Sequence, residues 1–280
     1  MTLKSKLFGL VGFPVKHSLS PRMHNAAFSA LKIKAKYKLF EVRPEQLEGF
    51  LGNLKKNNIA GVNVTIPYKE KVLPYLNSKS LGVREIGAVN TIVAAKDGKL
   101  KGFNTDAPGF SRHLKVLKVI PRKAAIIGAG GAAKAVCFAL GKNKVEEICI
   151  YDIDAYKSLG LVSQFKDVFS RVKFSAVARV EELNLGDKDL LVNASPVGMH
   201  ADDPCLVEGK MLHGRLFVYD LIYNPAETRL LAAAKKAGIR FSNGLGMLLY
   251  QGILSFGHFT GKDAPVETMR AALEKGVRKL

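Results

Sequence analysis

Short strand-like runs alternate with amphipathic stretches from Lys6 onward, and that alternation restricts the fold more than any other feature of the chain. Lys6 to Gly12 reads as a strand, Pro21 to Lys32 as a helix, Ala35 to Val42 as a strand and Pro44 to Asn57 as a helix. Gly61 to Pro67, rich in Val and Ile, is a third strand, and a helix is expected to open at Tyr68. Strands separated by helices need crossover connections, so the expected class is α/β with a mainly parallel sheet. One stretch differs: Thr91 to Ala95 and Lys99 to Phe103 flank Lys96-Asp97-Gly98. Asp-Gly supplies the positive φ angles of a tight hairpin, which predicts an antiparallel edge on the sheet.

A helix from Asp106 to Leu117 runs into a break at Val119-Ile120-Pro121-Arg122, after which the alternation restarts. Strands are expected at Ala124 to Gly128, Glu147 to Asp152, Leu190 to Asn193 and Phe217 to Leu221, with a helix from Gly131 to Lys142. The restart marks a second domain, and 280 residues, 48% of them hydrophobic, can bury two ordinary cores. Two helices close the chain, Leu245 to Phe259 and Pro265 to Lys279, the latter with Val266, Met269, Leu273 and Val277 on one face. Periodicity does not say where they pack.

Charge narrows the function less than the elements do. With 43 basic and 24 acidic side chains the formal charge is +19, which favours anionic partners without choosing among nucleic acid, a membrane surface and an acidic metabolite. The absence of Trp, the scarcity of clustered aromatics and the lack of a nucleic-acid motif count against nucleic acid. No apolar run approaches ~18 residues, and the start leads into a strand without an apolar leader, so no membrane association and no processing are expected. Cys137, Cys149 and Cys205 are odd in number and lack CxxC spacing, which suggests a reducing cytoplasm.

Gly128-Ala129-Gly130-Gly131-Ala132-Ala133 follows a buried-looking strand and opens a helix, the context that a G-x-G-x-x-G/A dinucleotide turn requires. Gly128 permits the turn, Gly130 lets backbone approach a pyrophosphate, and Ala133 allows close helix–strand packing, while the helix amino end attracts the phosphates. Asp152 ends the next strand about 24 residues after Gly128, near the place of the acid that hydrogen-bonds a ribose 2'-hydroxyl. It would repel a 2'-phosphate, so NAD is favoured and NADP is not excluded. The plain alternative is a turn or helix-capping acid, a role Asp154 could equally fill.

In the first half, Ser18 and Ser20 lie between a strand and a helix, with Ser20 expected as N-cap and Pro21 at N1. Two hydroxyls at a helix amino end suit a carboxylate, although capping alone would explain Ser20. Thr65, Lys69, Asn90 and Asp106 stand at strand ends or in loops. Singly each has a bland explanation: a solvated lysine, a turn asparagine, a capping aspartate. One convergent polar cluster accounts for all four together.

GFPVKHSLSPRMHN, GVNVTIPYKE, IGAVNT, GFNTD, GAGGAAKA, NASPVGM, YNPAETRLL and NGLGMLLYQG, in this order, resemble the successive signatures of the shikimate dehydrogenases, from about residue 7 to 252. The resemblance implies a substrate-binding domain over 1–105, a Rossmann dinucleotide-binding domain over 106–243, and C-terminal helices over 244–280 that complete the first domain. It implies reversible reduction of 3-dehydroshikimate to shikimate in the route to chorismate and the aromatic amino acids. By the same resemblance Ser18 and Ser20 bind the substrate carboxylate, and Thr65, Asn90 and Gln251 hold ring hydroxyls. Tyr223 closes over the carboxylate side, and Lys69 and Asp106 form the catalytic pair. Leu221, Gly244 and Met247 lie near the nicotinamide, the partners are small molecules, and the chain works as a monomer or homodimer.

The chemistry asks for these types. Hydride delivery to a carbonyl carbon builds negative charge on oxygen, which a cation must stabilise and a proton must reach. Lys69 can do both, and acting as base in the oxidation direction it needs the neutral amine. No metal is required, and His17 and His24, without a ligand cluster, read as loop or packing residues. The chain departs from the family at one place: NADP-preferring members carry Asn-Arg-Thr where this one has Asp152-Ile153-Asp154. Lys157 stands where a second Arg often lies and offers a point charge without the planar fork. NAD use would also fit a catabolic quinate/shikimate dehydrogenase, the runner-up reading.

Overall fold

Two six-stranded sheets organise the computed structural model, which describes residues 5–277. The first unit takes the chain up to Gly109 and again from Leu248, and the second is Phe110–Met247. In the first, β1 (Lys6–Gly12), α1 (Ser20–Ala30) and β2 (Ala35–Glu41) lead through a 3-10 turn at Pro44–Gln46 into α2 (Leu47–Gly52). Then come β3 (Ile59–Val64), β4 (Ser78–Lys79), α3 (Leu81–Ile86), β5 (Thr91–Ala94), β6 (Leu100–Phe103) and α4 (Asp106–Val116). The strand order is β2-β1-β3-β5-β6-β4, with β5 running against its neighbours. Val11, Val62, Val64, Tyr68, Val89 and Ile92 make up the centre of one core on this sheet.

Three expectations fail here for local reasons. No helix opens at Tyr68: the chain runs through turns to a 3-10 turn at Leu73–Tyr75. A helix from Tyr68 would meet Pro74, whose ring clashes with the carbonyl four residues back, and Tyr68 is instead buried with its hydroxyl donating to the Val42 carbonyl. α2 stops at Gly52 rather than Asn57, since Gly49 and Gly52 weaken a helix that has few residues to begin with. The hairpin forms, with Gly98 at φ +94°, but β4 pairs outside β6, so the hairpin is not the sheet edge.

The second unit contains β7 (Lys123–Ile127), α5 (Gly131–Lys142), β8 (Glu147–Tyr151), α6 (Ala155–Val168) and β9 (Lys173–Val177). It continues with β10 (Leu190–Asn193), β11 (Phe217–Asp220), α7 (Arg229–Lys236) and β12 (Phe241–Ser242). Its strands are all parallel in the order β12-β11-β10-β7-β8-β9. Continuous apolar runs such as Ala124–Ile127 and Leu190–Val192 are buried, as strands covered on both faces must be. The chain starts in the middle at β7, works outward to β9, then returns to β10 on the other side, which is the doubly wound dinucleotide-binding order.

α8 (Leu245–Thr260) and α9 (Val266–Val277) supply what periodicity left open. From Leu248 they belong to the first unit, where bare backbone lets α1 come close. A Cβ on Gly252 would collide with Met23, and one on Gly276 would lie 3.0 Å from Leu19 and Arg22 side-chain atoms. No helix among the described residues is long and apolar enough to cross a membrane.

Candidate active site

In the first unit β3 pairs on the side of β1 away from β2, so the loops leaving β1 and β3 part over the carboxyl ends of the strands, where open α/β sheets take ligands. Gly12 keeps them close, since any Cβ there would strike the Thr65 methyl, and Phe13 donates its N–H to the Ile66 carbonyl at 3.0 Å. Ser20 is not the N-cap of α1 but its first residue, after Leu19. The Ser18 hydroxyl oxygen accepts the Ser20 N–H at 3.2 Å and lies 3.2 Å from Ser20 Oγ, which brings both hydroxyls to one helix end. Thr65 and Lys69 follow β3, and Tyr68, anchored beneath, holds that loop in place.

Lys69 Nζ donates to Asp106 Oδ2 at 2.6 Å, with the two side chains only 14% and 7% exposed. Asn90 Nδ2 donates to the other oxygen, Oδ1, at 2.8 Å. Asp106 opens α4 but does not cap it: Asn104 Oδ1 accepts the N–H groups of Asp106 and Ala107 at 3.1 and 3.2 Å. The Asp106 carboxylate is thereby left for the lysine and the amide. From α8, Gln251 Oε1 accepts from Asn90 Nδ2 at 3.3 Å. That reach depends on Gly109, one turn along α4 from Asp106, where an added Cβ would sit 2.7 Å from the Gln251 backbone nitrogen. Lys69, Asn90, Asp106 and Gln251 therefore form one largely enclosed cluster. A cation whose carboxylate partner is pinned at both oxygens can stabilise and protonate an oxyanion presented to it.

In the second unit the glycine turn follows β7 beside the end of β10, at the point where the strand order reverses. Gly128 takes φ +103°, and a Cβ there would meet Ala194 and Ser195 backbone at 2.9 Å, so a side chain is excluded twice over. Gly130 has nothing within 4 Å of where its Cβ would be. Bare backbone facing open space ahead of Gly131 and Ala132, in the first turn of α5, fits a bound pyrophosphate. Asp152 Oδ2 accepts the Ala129 N–H at 2.6 Å, and its Oδ1 accepts the Asp154 N–H at 2.9 Å. The N-cap of α6 is Asp154, not Asp152; it accepts the Tyr156 N–H and pairs with Lys157 at 3.6 Å. Ile153, beside the acid, is 94% exposed.

Leu221 and Tyr223 follow β11, and Gly244 abuts the Leu221 carbonyl so closely that no Cβ would fit. Met247 is buried at the start of α8. Sequence reasoning missed Asp220 here. Fully buried, it accepts from Asn193 Nδ2 at 3.0 Å, the Ile222 N–H at 3.0 Å and Thr228 Oγ1 at 2.7 Å, tying the loops after β10 and β11 together. Desolvation holds its carboxyl above the usual range despite those three donors. An acid at the end of an otherwise apolar strand was the available signal. His17 is exposed in a turn and His24 is wholly buried. A surface cleft lined by Arg122, Lys123 and Lys188 lies at the amino ends of β7 and β10, away from the glycine turn, with those cations paired to Glu146, Asp187 and Glu147.

Residues 10–92 match the family model described as the shikimate dehydrogenase substrate binding domain, and residues 244–274 match the shikimate 5'-dehydrogenase C-terminal domain. A shikimate dehydrogenase (NADP(+)) of Methanopyrus kandleri is 44% identical over 98% of this chain and 97% of its own length. The crystal structure of shikimate dehydrogenase from Aquifex aeolicus is 34% identical, with a TM-score of 0.89, over 98% of this chain and 99% of that one. Quinate dehydrogenase from Corynebacterium glutamicum in complex with NAD is 30% identical, with a TM-score of 0.87, over 97% and 99%. With near-complete relatives at this identity and both units of the fold accounted for, the chain belongs to the shikimate dehydrogenase family.

Proposed function

We propose that the protein interconverts 3-dehydroshikimate and shikimate as a nicotinamide-dependent oxidoreductase, with NAD preferred. The observation that carries the reading is the enclosed Lys69–Asp106 pair, braced by Asn90 and approached by Gln251. In reduction, Lys69 stabilises the developing charge on the carbonyl oxygen and passes it a proton; in oxidation, its neutral amine accepts the hydroxyl proton. Asp106 orients Lys69 and a neighbouring substrate hydroxyl. Ser18 and Ser20 take the carboxylate at the head of α1, where the helix dipole favours an anion. Thr65, Asn90 and Gln251 hold ring hydroxyls, and Tyr223 serves the carboxylate side.

Gly128, Ala129, Gly130, Gly131 and Ala132 would hold the pyrophosphate, Asp152 the adenosine ribose, and Leu221, Gly244 and Met247 the nicotinamide, which when bound supplies or takes the hydride. The preference for NAD rests on charge. Asp152 and Asp154 would set two carboxylates near a 2'-phosphate, the Ile153 side chain would offer it no donor, and Lys157 is already paired with Asp154. The relative from Methanopyrus kandleri is named for NADP(+), so cofactor choice is where this chain is proposed to differ. Quinate use is the second reading, favoured by the same Asp152 and by the likeness to the NAD-bound quinate dehydrogenase. A biosynthetic role would fit an enzyme of the cytoplasm.

Initial rates with shikimate and quinate, each with NAD and NADP, test both points at once. Shikimate with NAD should give the highest kcat/KM. Dominance of NADP would overturn the charge argument alone, dominance of quinate would move the enzyme to catabolism, and no turnover with any pair would remove the enzymatic reading.

A further inference from the structure

Behind the Lys69–Asp106 pair a line of buried hydrogen bonds crosses the first sheet. Tyr37 on β2 is 1% exposed, and its hydroxyl donates to Asn63 Oδ1 at 2.8 Å, reaching over β1 to β3. Asn63 Nδ2 donates to Thr91 Oγ1 at 3.0 Å and to the Asn90 carbonyl at 3.1 Å. Thr91 Oγ1, 3.4 Å from Thr105 Oγ1, in turn donates to Asn90 Oδ1 at 3.1 Å, and the Thr105 N–H donates to the same amide oxygen at 2.7 Å. Asn90 Nδ2 then faces Asp106 Oδ1 and Thr105 Oγ1, each at 2.8 Å. The reversed amide would set its oxygen against the Asp106 carboxylate and its NH2 against the Thr105 N–H, leaving buried groups unpaired on both sides.

Tyr37 is itself held on every side. Asn25 brackets its backbone, accepting the Tyr37 N–H at 2.8 Å and donating to its carbonyl at 3.0 Å. The His24 ring lies flat on the Tyr37 ring, with centroids 4.4 Å apart and planes 4° from parallel. The Asn90 carbonyl, the Thr105 N–H and the Asp106 carboxylate set the sense of this line, and Tyr37, by satisfying Asn63 Oδ1, holds the Asn63 amide in place within it.

We propose that Tyr37 and Asn63 are positioning residues for the reaction: through Thr91 they hold the Asn90 amide in place and so keep Asp106 and Lys69 in working alignment. The proposal rests on the reading of Lys69 and Asp106 as the catalytic pair. Without the Tyr37 hydroxyl, Asn63 Oδ1 is left buried and unpaired, Asn63 shifts, Thr91 can turn its proton to Thr105 Oγ1, and Asn90 Oδ1 keeps only its Thr105 donors, which loosens the hold of Asn90 on Asp106.

The test is a double-mutant cycle with Tyr37→Phe and Asn90→Ala, reading kcat and KM for shikimate and KM for the cofactor in the full-length enzyme. Tyr37→Phe lowers kcat by about tenfold, the scale of one misdirected buried hydrogen bond, and leaves the cofactor KM in place. In the Asn90→Ala background it has no further effect on kcat, because its route is gone. Thr91→Val, which removes the hydroxyl at constant shape, shows the same loss, and Thr91→Ser restores most of it, so the relay is decided even if Tyr37→Phe fails to fold. Unchanged kcat in both Tyr37→Phe and Thr91→Val, or the same fold-loss from Tyr37→Phe with and without Asn90, overturns the relay. Absence of shikimate turnover by the wild type overturns the functional reading and the relay with it, whereas the other failures leave that reading intact.

Discussion

The carboxylate of Asp152 accepts the backbone N–H of Ala129 at 2.6 Å, joining the tip of β8 to the glycine turn that follows β7. The acid is therefore fixed by the same backbone that shapes the proposed phosphate cradle. Asp152→Asn together with Ile153→Arg removes one repelling charge and adds a planar phosphate-binding fork. We expect the ratio of kcat/KM for NAD over NADP to fall by about tenfold or more, the effect of one charge-assisted contact. Steady-state rates with both cofactors decide it, and an unchanged ratio would mean that Asp152 does not read the ribose.

Lys69→Ala leaves Asp106 buried without its cation and, on the proposed mechanism, the substrate oxygen without its proton source. Turnover should fall by about 10² to 10⁴, the range attributed to a positioned acid–base group. Binding of the dinucleotide, measured by calorimetric titration, should be largely unaffected, since the glycine turn belongs to the other unit. Wild-type turnover in this variant would take Lys69 out of the mechanism.

Gly109→Ala drives a methyl group toward the Gln251 backbone, with its Cβ 2.7 Å from the Gln251 nitrogen. α8 must back away from α4, drawing Gln251 off Asn90. Overpacking of this kind destabilises by about 1–3 kcal/mol, visible as a lower urea midpoint, and KM for shikimate should rise several-fold. If both the midpoint and KM stay at wild-type values, the close approach of α4 and α8 does not set the site.

His24 predicts a pH dependence of stability. Neither ring nitrogen has a hydrogen-bond partner, and burial among Phe28, Tyr37, Phe256 and Phe259 pushes its pKa from 6.5 down to about 3. The unfolded chain takes up the proton first. Stability from keeping His24 neutral is therefore fully present above about pH 6.5 and is lost toward pH 3, by about 1.4 kcal/mol per pH unit. Asp220, raised by burial, works in the opposite sense as carboxylates protonate. Replacing His24 with Phe, another flat ring for Tyr37, should flatten the acid side of the stability curve between pH 4 and 6.5. Urea unfolding across that interval checks it, and parallel curves for variant and wild type would rule the idea out.

Much of this architecture was legible locally. α5 was expected over Gly131 to Lys142 and is found there, because the glycine turn and the apolar run after it are short-range signals. The hairpin at Asp97-Gly98 was readable for the same reason. α6 and α7 went unread although Asp154 and Thr228 cap them, since a cap stands out only when the following stripe is recognised. The helix expected at Tyr68 shows the reverse error: local apolar character read as periodicity, where Pro74 and the burial of Tyr68 dictated turns.

The sequence by itself determined the alternation of elements, the glycine turn and the family, all of which depend on residues close along the chain or on ordered blocks. Tertiary structure decided which polar residues meet and in what sense their bonds run. Tyr37 and Asn63 are 26 positions apart, and Asn90 and Gln251 are 161 apart. Neither pair has any local signature, because the donor and acceptor face each other only after the sheet has closed and excluded the water that would otherwise satisfy both.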